Sequence, residues 1–82
     1  MTSGETDSRV ARADRLAAEE RELIGREMEL ANQEDSRAAE GGAAAELHQR
    51  AATLHREAAA MHLEAATLQE RHADEFRDQP PA

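Results

Sequence analysis

The amino-acid sequence predicts an all-α protein, an antiparallel two-helix hairpin that dimerises into a four-helix bundle. A seven-residue repeat runs through residues 46–72, and its large apolar positions are Leu47, Leu54, Met61 and Leu68. Gly41-Gly42 interrupts an otherwise helical pattern close to the middle of the chain. The segments on either side of these glycines are nearly equal in length. Together these features favour two helices that lie side by side.

The first arm of the hairpin begins after a short polar segment. Residues 1–7 are polar and include Gly4, so we expect a disordered tail there. A first helix is predicted over residues 8–40, because its apolar residues recur at helical spacing. They form two rows, Leu16, Leu23 and Leu30 on one side and Val10, Ala17, Ile24 and Ala31 on the other. Between the rows run Glu20, Glu27 and Glu34, again seven residues apart.

Residues 41–42 are predicted to form the turn. Glycine commonly follows the end of a helix, because it adopts a positive φ without steric cost. The alternative is one continuous helix through both glycines, which would cost about 2 kcal/mol for the pair. Two arms of similar length favour the hairpin over the continuous helix.

The second arm is predicted as a helix over residues 43–78, followed by a disordered tail at 79–82 that contains Pro80-Pro81. Placing residues at helical steps separates two uncharged strips. One strip holds the large residues of the repeat. The other, the Ala/His strip, consists of Ala52, Ala59, Ala66, His48, His55, His62 and Gln69. Two strips on one helix indicate contacts with two neighbours.

These strips lead to a specific expectation about packing. We expect the large residues of the second helix, Leu47, Leu54, Met61 and Leu68, to pack within the hairpin against Leu16, Leu23, Ile24 and Leu30. The Ala/His strip, with Ala59 near its centre, would then form a second interface. Because one hairpin cannot bury both strips, we expect a homodimer or a higher oligomer.

The spacing of acids and histidines predicts a ladder across the hairpin. With Gly41 as the pivot, opposite residues have numbers that add up to about 82. The resulting pairs are Glu34–His48, Glu27–His55 and Glu20–His62. Three interpretations remain open. The pairs could serve only to hold the seam, they could bind a metal ion, or they could tighten the bundle on acidification as the imidazoles become charged.

The metal hypothesis rests on Glu20, Glu27, His55 and His62. Carboxylate and imidazole suit zinc, iron or manganese, and helical bundles build such sites from facing helices. Residues seven apart are separated by about 10.5 Å along a helix, so consecutive histidines cannot share one ion. Each pair would therefore need further ligands, for example the same pair from a second protomer.

Composition restricts the remaining functional classes. The formal charge of −8 disfavours nucleic acid and anionic membrane surfaces, and leaves an acidic inhibitor or decoy of a basic protein as a weaker alternative. The chain has no cysteine, no long apolar run and no signal-like segment, and we expect a cytoplasmic protein. No nucleophile–base pairing indicates an enzyme. The function expected is therefore a non-enzymatic assembly module that self-associates or binds another protein.

Overall fold

A computed structural model describes residues 3–78, and in this range the chain forms two α-helices packed against each other. Helix α1 spans Ser3–Ala39 and helix α2 spans Ala45–Arg77. They run antiparallel and form a rod of about 65 × 13 × 11 Å. Within residues 3–78 neither helix is apolar enough over a sufficient length to cross a membrane.

Helix α1 begins earlier than the sequence analysis predicts. Residues 3–7 are helical rather than part of a disordered tail, and Glu5 lies in the first turn. A carboxylate at this end of a helix interacts favourably with the unpaired backbone N–H groups and the helix dipole, which offsets the helix-weakening effect of Gly4. Residues 1–2 and the predicted tail at 79–82 lie outside the described residues.

The chain reverses direction at Gly41 and Gly42, whose φ angles are +79° and +87°. The Gly41 N–H donates to the carbonyl oxygen of Ala38 at 3.0 Å, and the Ala45 N–H donates to that of Gly42 at 3.2 Å. Residues that carry a Cβ rarely adopt a positive φ, so two adjacent glycines allow this short connection between the helices. Helix α2 then starts after Ala44 without a side-chain cap.

Alanine forms the core of the hairpin. Among residues 3–78, the buried apolar residues are Ala13, Ala17, Ala31, Ala52, Ala59, Ala66 and Ala73. No large side chain in this range is fully buried. Small side chains let two helix backbones approach more closely than leucines would, and a close approach increases dispersion contacts along the whole seam.

The expectation that large residues form the seam within the hairpin is wrong. Leu47, Leu54, Met61 and Leu68 are 64%, 58%, 71% and 49% exposed, whereas Ala59 is only 5% exposed and faces α1. On α1, Leu16, Leu23 and Ile24 are half-buried and Leu30 is 41% exposed. Alanines face one another at the centre of the contact, and that close approach leaves the long side chains of α2 outside it. The Ala/His strip is therefore the seam itself.

Candidate functional site

The predicted Glu–His ladder is present along one flank of the alanine seam. The Nδ1 atoms of His48, His55 and His62 each lie 2.6 Å from the Oε2 atom of the opposite glutamate. The partners are those of the predicted register, Glu34, Glu27 and Glu20, and this prediction is confirmed. The histidine side chains remain 30–32% exposed and the glutamates 16–27%.

The ladder determines which nitrogen of each imidazole carries a proton. An ionised carboxylate only accepts hydrogen bonds, so the Nδ1–H of His55 donates to Glu27. In the neutral imidazole the other ring nitrogen, Nε2, then keeps its lone pair. The same argument applies to His48 and His62. Each glutamate thus holds its partner in the tautomer whose Nε2 accepts a hydrogen bond or binds a metal ion.

The pair nearest the turn differs from the other two. Arg37 donates from Nη1 to Oε1 of Glu34 at 3.0 Å, so this carboxylate has two cationic or potentially cationic neighbours. The hydrogen bond from His48 lowers the pKa of Glu34 below its usual range. Partial burial opposes that shift, while the charges of His48 and Arg37 add to it.

A second row of pairs follows the opposite flank of the seam. Asp14 accepts from Arg77 at 2.5 Å, Glu70 accepts from Arg21 at 2.5 Å, and Asp35 accepts from Arg56. The α1 partners lie at positions 14, 21 and 35, and Met28 on α1 and Leu63 on α2 fill the remaining positions of the two seven-residue spacings. We call these four levels the charged flank. Sequence reasoning missed it, although its constant seven-residue spacing on both helices was a visible signal.

Large apolar residues lie beside the ladder on α1. Leu23 follows Glu20 by three residues and precedes Glu27 by four, which places it about 50° around the helix from the glutamate row. Leu16 and Leu30 repeat this relation. These three leucines form a row on the ladder side of α1, half-buried at Leu16 and Leu23 and 41% exposed at Leu30, which we call the leucine ridge.

Small residues occupy the equivalent positions on α2. Ala58 lies three residues after His55 and four before His62, and Ala51 and Ala65 repeat the pattern. Beyond these alanines stand the exposed large residues of α2. Together, the leucine ridge, the Glu–His ladder, the alanine row and the outer large residues constitute the ladder face. Its outer members are Leu47, Leu54, Met61 and Leu68.

The ridge and the alanine row are matched in height along the rod. In the register set by the ladder, Leu16 stands within one residue of the height of Ala65, Leu23 of Ala58 and Leu30 of Ala51. At each of these levels α1 presents a large side chain and α2 a small one. The ladder face is therefore a raised strip beside a recessed strip.

The residues of the metal hypothesis do not converge on one point within a single copy. Glu20 pairs with His62 and Glu27 with His55, one level apart along the rod. No group of three or more potential ligands that could hold an ion occurs among residues 3–78 of one chain.

The charged flank and the ladder face are the candidate functional surfaces of the hairpin. Comparisons with protein-family models, with curated proteins and with solved structures found no match for this chain.

Proposed function

We propose that this chain is a non-enzymatic assembly module that self-associates through the ladder face to form a four-helix bundle. The observation that carries the proposal is the exposure of a continuous row of large apolar residues along α2. Burying one large apolar side chain contributes about 1.5–3 kcal/mol, so burying this row of four exposed side chains would strongly favour association. Contiguous exposed apolar surface of this kind marks an interaction site.

The shape of the ladder face supports a second copy as the partner. A two-fold axis parallel to the helices would place α1 of one copy over α2 of the other at the same height. Each ridge leucine would then meet an alanine of the partner, Leu23 against Ala58 for example. An axis perpendicular to the helices would set ridge against ridge and leave alanine rows facing each other. Close packing favours the first arrangement.

The size of the face is adequate for a stable dimer. A surface of about 65 × 13 Å covers on the order of 800 Å² per copy. Standard stable interfaces bury about this much on each partner. The alanine core of the hairpin contributes little large-side-chain burial by itself, so the dimer would supply most of the missing apolar contact.

A matched pair of substitutions tests which face associates. Leu68 on the ladder face and Leu63 on the charged flank are 49% and 48% exposed on the same helix. Leu68→Glu should raise the dimer dissociation constant at least tenfold, because it removes a buried leucine and introduces a charge. Leu63→Glu should leave it within about threefold. Sedimentation equilibrium measures both constants.

Either of two results would overturn the proposal. One is a wild-type chain that sediments as a monomer in zinc as well as in chelator, yet unfolds cooperatively. The other is equal weakening by both leucine substitutions, which would show that association does not use the ladder face. Circular dichroism of each variant at the same concentration separates lost association from lost helix.

A further inference from the structure

We infer that pairing of two ladder faces creates two sites for a divalent zinc-class ion, each formed by one Glu–His pair from each copy. The inference rests on the proposed self-association, because one copy supplies too few ligands. The two levels are Glu27–His55 and Glu20–His62. The histidine Nε2 atoms are the ligands, and the glutamates orient them.

The ladder presets the tautomer that a metal-bound histidine uses. A metal-bound histidine usually donates its other ring N–H to a carboxylate, which orients the ring and makes the ligating nitrogen more basic. His55 and His62 already make this hydrogen bond through Nδ1, at 2.6 Å. Their side chains are still about one-third exposed, on the face where the second copy would bind.

Each level of the proposed dimer would bring together the donors that one copy lacks. A two-fold axis along the helices keeps equivalent residues of both copies at the same height. Each level would then present two imidazole Nε2 atoms to one ion, and each ring would be held by its own glutamate through Nδ1. Water would complete the four-coordinate sphere of zinc.

A bound cation would also balance the charge of the paired ladder faces. Closing two ladder faces would bury two carboxylates at each level, and uncompensated buried charge costs several kcal/mol. A divalent cation neutralises both. The level nearest the turn is different, since Arg37 already compensates Glu34 and its positive charge would oppose a bound cation. We therefore assign two ions to each dimer rather than three.

The test is native mass spectrometry of the untagged full chain after dialysis against zinc chloride, paired with sedimentation in zinc or in chelator. Wild type should carry two zinc ions per dimer, and zinc should lower the dissociation constant at least tenfold. The double variant His55→Gln, His62→Gln should carry none. His72→Gln changes an exposed histidine outside the ladder and should keep both ions.

A positioning variant separates orientation from ligation. Glu27→Gln should keep the stoichiometry but weaken zinc binding about 10- to 100-fold, the usual effect of losing an orienting carboxylate. His48→Gln should leave two ions bound, since its level is not assigned one. Three ions in wild type, with loss of one in His48→Gln, would contradict the argument from Arg37.

The outcomes distinguish the two proposals. A dimer without zinc overturns the metal inference and leaves the assembly proposal standing. A monomer that neither dimerises nor binds zinc overturns both. Zinc bound equally by wild type and by the double histidine variant is adventitious and overturns the inference. A monomer that becomes a two-zinc dimer supports the inference and makes assembly dependent on the ion.

Discussion

The two flanks of the seam use the same seven-residue spacing in opposite ways. On the ladder every level is the same, with glutamate on α1 and histidine on α2. On the charged flank the sign changes along the rod: Asp14 faces Arg77, Arg21 faces Glu70 and Asp35 faces Arg56. One flank is uniform and the other is not.

This difference matters when α2 slides by one repeat. The ladder would still form pairs such as Glu27–His48, so it does not distinguish the native register from its neighbours. The charged flank would instead place Asp14 opposite Glu70, or Arg21 opposite Arg77. Exposed ion pairs stabilise a fold by only about 0–1 kcal/mol each. Their larger contribution here is that the wrong register sets like charges against each other.

The largest effect is expected from a substitution in the alanine seam, on which both flanks depend. Ala59→Glu places a charge where the native side chain is 5% exposed, and we expect a loss of about 3–5 kcal/mol and most of the helicity. The adjacent Ala60 is exposed, so Ala60→Glu should change the unfolding free energy by less than about 0.5 kcal/mol. Far-ultraviolet circular dichroism with urea titration measures both.

A result in which Ala59→Glu kept its helicity but lost its dimer would return this residue to the second interface of the sequence analysis. The core would then lie elsewhere on α2. Similar losses in both variants would mean that added charge, rather than burial, is responsible.

The turn provides the next largest effect. Gly41 has a φ of +79°, which alanine adopts only with strain, so Gly41→Ala should destabilise the hairpin by about 1 kcal/mol. Gly25 lies within helix α1 with open space around it, so Gly25→Ala should stabilise by about 0.5–1 kcal/mol. Thermal unfolding at one protein concentration would compare them. Equal shifts of the melting temperature in the two variants would argue against a chain reversal at Gly41.

The charged flank is tested by reversing one pair. Arg21→Glu sets two carboxylates at one level, and the expected loss is about 0.5–1 kcal/mol because both native side chains are roughly half exposed. Adding Glu70→Arg should restore the pair and recover most of the loss. High salt should shrink the effect. Failure of the double variant to recover would show that the pair does not contribute to register.

The smallest effect concerns acid stability on the ladder. The folded-state pKa of Glu34 is lowered, chiefly by the hydrogen bond from His48. Its contribution is therefore fully present above the unfolded pKa of about 4.3 and is lost as pH falls through the folded value. Glu34→Gln should flatten the fall in melting temperature below that pH. Glu29→Gln, at an exposed position of α1, should not.

The sequence allowed the ladder to be predicted pair by pair. Two adjacent glycines located the reversal, and a constant spacing on both helices then left one register that joins Glu20 to His62. The same reasoning failed for the seam, because it ranked leucine above alanine as core. What decides the seam is how closely the backbones approach, and alanine at matched positions on both helices permits the closer contact.

Extending the same register would not have found the charged flank, because its partners have numbers that add up to 91 rather than 82. The second copy, which the two strips of α2 led us to expect, stays a proposal, since the identity of a partner depends on surface that one chain leaves uncovered. The large apolar residues of α2 are exposed in the single chain, and their arrangement beside the alanine row is what favours a second copy in our proposal.

Because the hairpin is elongated, the direction of the two-fold axis in the proposed dimer determines the distance between the two turns. The chain contains no cysteine, so Ala43→Cys would carry a single spin label beside the turn. If the two-fold axis runs along the helices, both turns lie at one end of the bundle and the labels are close. If the axis runs across them, the labels sit at opposite ends of a rod about 65 Å long. Pulsed electron paramagnetic resonance would measure the distance between the two labels and so distinguish the two axes.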